Sequence, residues 1–173
     1  MSAVYRVRQF ARAAGAWVWR TEVDVDLVAG YLTPAALDLF RAMPRYDRQH
    51  GLAVFYMLQA QGHDEADLLA AALLHDAGKT ADAGGGVRLW HRVVTVLMRA
   101  FAPGVLERLG QDRPGSWRRP FFVQQQHAAI GAELARAAGC SVRTVDIIRC
   151  HEDPPGVGDD ALLAALRAAD EVN

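Results

Sequence analysis

The chain has 173 residues, 51% of them hydrophobic and 23% charged, which is enough apolar material to close one core in one domain. A formal net charge of -1 removes any overall electrostatic case for nucleic acid or an anionic membrane as partner. Two cysteines, Cys140 and Cys150, make no disulfide framework, and Arg6, Arg8, Arg12 and Arg20 interrupt the apolar N-terminus, so a soluble, cytoplasmic protein is expected.

Apolar residues recur at helical spacing along most of the chain, and no β-branched run alternates with period two, which predicts an all-α fold. A helix is expected from Pro34 and a second from about Asp47 to Gln61. A third, ADLLAAALLHDA, has Asp64 as its candidate N-cap and stops at Gly78. The glycine run at 81–86 reads as a loop, followed by the helix LWHRVVTVLMRAF, which is expected to end at Pro103-Gly104. After a polar loop from Gly110 to Pro120, a long helix runs from about Phe121 to Ala138, with Gly139 as its C-terminal cap. Ser141 caps the next helix, which must end before Pro154-Pro155. The last helix, ALLAALRAADEV, takes Asp159 or Asp160 as its cap.

Several polar residues fall on apolar stripes. Steps of three and four from Leu162, Leu163 and Leu166 reach Asp170; His127 shares a stripe with Val123, Ile130 and Leu134, and His151 shares one with Ile147 and Ile148. His50 lies in line with Val54, Met57 and Leu58; His75 follows Leu68 and Ala72, and Asp76 follows Leu69 and Leu73. An inward imidazole is commonly a hydrogen-bonded core group and a terminal aspartate a solvated cap. Six such groups on five helices, each with a desolvation penalty of about 1–3 kcal/mol, are better reconciled by one shared metal ion. His63, in a polar turn, reads as a surface residue, and His91 as structural or substrate-proximal. Lys79 is the only lysine among nineteen basic residues. It either serves a site for a phosphate or complements a helix C-terminus.

The order His50, His75-Asp76, His127, His151, Asp170, with HDAGK at 75–79, resembles the HD superfamily of metal-dependent phosphohydrolases. HAAIGAELA at 127–135 and LRAADEV at 166–172 resemble its HDIG-type branch, which includes the HD domains of ribonuclease Y and of the HD-GYP phosphodiesterases. The chain departs from those relatives in having Cys150 where many carry a histidine before His151, in lacking the GYP segment, and in lacking a KH-like segment. The resemblance implies a single-domain helical bundle with the metal site at its centre. The HD domain would span 45–173 with an insertion or lid at about 81–119, and residues 1–44 would form a helical extension packed on the same domain.

The resemblance also implies a divalent cofactor, one or two ions of Mn, Fe, Co, Ni or Mg, which the nitrogen and oxygen donors suit. His50, His75, Asp76 and Asp170 would hold the first ion. His127 and His151, with Asp76 bridging, would hold a second, or would bind phosphate and relay protons beside a single ion. Asp76 and Lys79 would be the catalytic residues. Arg45, Arg48, Arg118 and Arg119 are candidate substrate contacts or solvated surface groups. The implied reaction is hydrolysis of a phosphomonoester or phosphodiester of a nucleotide or other small metabolite, through a water activated by the metal. The alternatives are an HD-type di-iron oxygenase and a non-catalytic metal-binding module that senses or scaffolds.

Overall fold

The computed structural model describes residues 25–81, 89–101, 103–154, 156 and 160–173. The first 24 residues of the expected extension, the glycine-rich loop from 82 and Asp159 lie outside them. The described residues form an all-α fold: α1 (Val25–Ala29), α2 (Pro34–Ala42), α3 (Arg45–Ala60), α4 (Ala66–Leu74), a 3₁₀ turn (Ala77–Ala81), α5 (Leu89–Phe101), α6 (Pro103–Leu109), α7 (Arg119–Ala137), α8 (Val142–Cys150) and α9 (Ala161–Val172). None of these helices is long and apolar enough to cross a membrane.

The helix ends follow local chemistry. Thr33 accepts the Ala36 amide at 3.1 Å, Ser141 that of Thr144 at 3.0 Å and Asp160 that of Leu162 at 3.2 Å. Each such cap contributes about 1 kcal/mol. At the end of α7, Gly139 adopts φ +77°, and the Cys140 and Gly139 amides donate to Ala135 and Arg136 in a Schellman closure. Both cysteines are free thiols.

Two expectations are corrected. Asp64 does not cap α4: Glu65 holds that position without a side-chain hydrogen bond, because Gly62 at φ +90° turns the chain and the helix begins late. The helix LWHRVVTVLMRAF ends at Phe101, ahead of Pro103-Gly104 as expected, and Pro103 opens a further helix, since its missing N–H costs nothing in a first turn. The α-helical part of ADLLAAALLHDA stops at Leu74, and the chain tightens into the 3₁₀ turn, not into more α-helix up to Gly78.

Every residue from Leu68 to Leu74 is buried, so α4 is apolar all round and takes the central place. Helices α3, α8 and α9 pack on it, and the 3₁₀ turn that continues it packs on α7. The tightest approach lies there. Gly78 meets the α7 backbone at His127 and Gly131 so closely that a Cβ on Gly78 would lie 2.0 Å from the His127 carbonyl oxygen. Val123 and His127 are buried as expected, but past His127 the buried face of α7 is made of small residues, Ala128, Gly131, Ala132 and Ala135, while Ile130 and Leu134 are only half-buried. The stripe expected through Ile130 and Leu134 is thus rotated, because the neighbour here is backbone and leaves no room for large side chains.

Candidate metal centre

Five helix termini or faces converge at the α4 to 3₁₀ junction. His75 and Asp76 sit at the end of α4, His50 on α3, His127 on α7, His151 at the end of α8 and Asp170 on α9. His75, Asp76, His127 and His151 are buried, and the side chains of His50 and Asp170 are 14% and 30% exposed. All six residues singled out by the periodicity are therefore brought together.

Three of the imidazoles are oriented by the same local device. Nδ1–H of His75 donates to the Ala72 carbonyl at 2.9 Å, that of His127 to Gln124 at 2.9 Å and that of His151 to Ile148 at 2.7 Å. A carbonyl can only accept, so the proton is on Nδ1, and each Nε2 is turned toward the centre. The rings stand edge-on in a row, with centroids 5.1 Å apart for His50–His75, 5.2 Å for His75–His151 and 5.2 Å for His151–His127. The donor atoms group as two triads, His50–His75–Asp76 and Asp76–His127–His151, each with its atoms within 4.8 Å of one another. Asp76 belongs to both.

Charges at the centre are strongly coupled. Burial favours a neutral Asp76, but Lys79 and then His75 outweigh it and hold the carboxyl well below the usual range. Burial likewise opposes ionisation of Asp170, and His75 and His50 overcome it, so this carboxyl is also depressed. Burial would lower His75, yet Asp76 and Asp170 raise it to about 9. His127 is pushed down by burial and by Lys79, and His151 by burial and by His75. Without metal the centre thus balances its carboxylates with a protonated His75 and Lys79, while His127 and His151 are neutral.

His127 is the clearest test of fit. Its Nε2 is buried without a hydrogen-bond partner, and it faces Asp76 Oδ1 at 3.5 Å and Glu152 Oε1 at 3.7 Å. A lone pair turned toward two carboxylate oxygens is repulsive; Lys79 Nζ offsets this at Asp76, and a cation among all three atoms would offset it further. His75 differs in being protonated without metal, and its Nε2 lies 3.5 Å from Asp170 and 3.8 Å from Asp76 without a hydrogen bond. Two donors held about 2.1 Å from one ion lie at most about 4.2 Å apart. These separations fall inside that limit, and the donor set is imidazole and carboxylate, so the buried His/Asp groups could hold a metal ion. His50 and Asp170 are hydrogen-bonded to each other at 2.7 Å.

Lys79 lies in the 3₁₀ turn with its side chain 12% exposed, and its Nζ is 2.5 Å from Asp76 Oδ1. It is part of the centre, paired with a carboxylate. The arginines are placed differently. Arg118 donates to the Leu109 and Arg108 carbonyls and so caps α6, while Arg119 joins the Ala81 carbonyl to Asp112. Arg45 is exposed at the start of α3, and Arg48 is half-buried with its Nε unpartnered. His63 lies near Glu65 at 3.3 Å, away from the triads, and His91 is buried edge-on against Phe121.

Two contributors escaped the sequence reading. Arg167 on α9 donates to the Cys150 and His151 carbonyls at 2.7 and 3.3 Å and pins the end of α8. Glu152, the residue after His151, brings its carboxylate to His127; an acidic group next to an inward histidine was the available signal. Comparison with protein-family models, with curated proteins and with solved structures returned no match.

Proposed function

We propose that the protein is a metal-dependent phosphohydrolase with an HD-type binuclear centre, acting on a phosphomonoester or phosphodiester of a nucleotide or other small metabolite. The observation that carries this reading is Asp76 Oδ1, shared by two His triads and paired with the one lysine of the chain. His50, His75, Asp76 and Asp170 would hold one ion, and Asp76, His127 and His151 a second. Bound divalent ions supply Lewis acidity to a phosphoryl oxygen and lower the pKa of a water at neutral pH. The Nδ1 bonds of His75, His127 and His151 fix ring orientation, as orienting carbonyls do behind metal ligands. Asp76 ties the two halves together, and burial of the triads keeps their charges unscreened. Lys79 would turn from Asp76 to a non-bridging phosphoryl oxygen, offsetting charge that grows in the transition state.

The test is hydrolysis of p-nitrophenyl phosphate and bis-p-nitrophenyl phosphate by metal-stripped protein reloaded with Mn²⁺. Metal-dependent release is expected from the wild type and from His63→Ala, and none from His75→Ala. No release with Mn²⁺, Fe²⁺, Co²⁺, Ni²⁺ or Mg²⁺ would defeat the hydrolase reading.

Lys79→Met separates metal binding from turnover. The ammonium competes with a divalent ion for the same carboxylate oxygen, so its removal is expected to tighten metal binding while kcat falls on the order of 100-fold. Metal titration and steady-state kinetics on one preparation read both effects; normal kcat would return Lys79 to a helix-terminus role.

A further inference from the structure

We infer that Glu152 is a ligand of the second ion, closing that half of the centre on its solvent side. This rests on the binuclear reading above. The first half has two imidazoles, the shared Asp76 and a terminal carboxylate, Asp170, whereas the buried triad of the second half, Asp76–His127–His151, has no terminal carboxylate. Glu152 supplies it.

The physical case begins with His127. An N–H on its Nε2 would find Asp76 and Glu152 oxygens only at 3.5 and 3.7 Å, beyond hydrogen-bond reach, and its Nδ1 already carries a proton for Gln124. With Lys79 Nζ paired to the Asp76 oxygen, the His127 lone pair still faces the Glu152 oxygen at 3.7 Å. A divalent ion is the species that makes this arrangement favourable, and 3.7 Å is within the span of two donors on one ion at about 2.1 Å each. The Glu152 side chain is 37% exposed, and Arg167 on another helix holds the carbonyls of the two residues before it, Cys150 and His151.

The consequence is a centre of matched halves, two imidazoles and two carboxylates for each ion with Asp76 common. Three carboxylates against two divalent ions leave it net positive, and Lys79 adds to that. Such a field favours a phosphoester anion over a neutral substrate.

The test is titration of the stripped full-length chain with Mn²⁺, followed by calorimetry and by elemental analysis after desalting. The wild type is expected to bind two ions. Glu152→Ala should keep the first at wild-type affinity and weaken the second at least tenfold, with Glu152→Asp between the two. Because Glu152 is exposed, circular dichroism should show an unchanged fold. Two ions of unchanged affinity in Glu152→Ala would overturn this assignment alone. A wild-type chain that binds one ion or none would overturn it together with the binuclear reading.

Discussion

Asp76→Asn is expected to abolish binding of both ions and to lower the stability of the metal-free protein by about 3 kcal/mol. The carboxylate is the only donor common to the two triads, so its loss leaves each with two imidazoles and no bridging oxygen. A carboxamide is too weak a ligand to replace it. The stability loss has a different origin. Lys79 Nζ lies 2.5 Å from Asp76 Oδ1 with both side chains largely buried, and removing the anion strands an ammonium among imidazoles. Adding Lys79→Met to Asp76→Asn should therefore restore most of the lost stability and none of the metal binding. Urea denaturation of the two single variants and the double variant completes the cycle. Additive losses would show that the ion pair does not hold the centre together.

Gly78→Ala is expected to be the most damaging single methyl group in the molecule. Its Cβ would lie 2.0 Å from the His127 carbonyl oxygen, 2.8 Å from the carbonyl carbon and 2.7 Å from the Gly131 amide nitrogen. All three are backbone atoms, so no side chain can swing aside; the 3₁₀ turn and α7 must separate. That turn carries Lys79 directly after His75 and Asp76, while α7 carries His127, so the separation pulls the two triads apart. Overpacking of this kind costs at least about 3 kcal/mol. Loss of the second ion should accompany it. Gly104→Ala is the control: nothing lies within 4 Å of a Cβ there, on a helix, and the change should be neutral or stabilise by up to about 1 kcal/mol. Denaturant midpoints and Mn²⁺ titration compare the pair. A mild Gly78→Ala would mean that the close approach does not set the geometry of the centre.

Much of the architecture was legible beforehand because it rests on short-range rules. The caps at Ser141 and Asp160 and the glycine closure at Gly139 each depend on atoms a few residues apart, and they stand where those rules put them. The six polar residues on apolar stripes were legible for a related reason: helical periodicity says which way a side chain faces before its neighbour is known. The errors at the end of α4 and on the far half of α7 arose where a tertiary contact overrode local preference. The end of α4 tightens to let Gly78 reach α7, and the buried face of α7 turns toward alanine and glycine to receive it.

By itself, then, the sequence determined an all-α chain, the helix ends at Gly139, Ser141 and Asp160, and the inward direction of His50, His75, Asp76, His127, His151 and Asp170. Only the tertiary structure decided that Asp76 stands between two triads, that Lys79 is paired with it, and that the Glu152 carboxylate faces His127. The reason is the reach of the forces involved. Capping and periodicity act within one or two helical turns, whereas a shared donor set depends on how closely helices from distant parts of the chain approach, and here a glycine contact between backbones sets that distance.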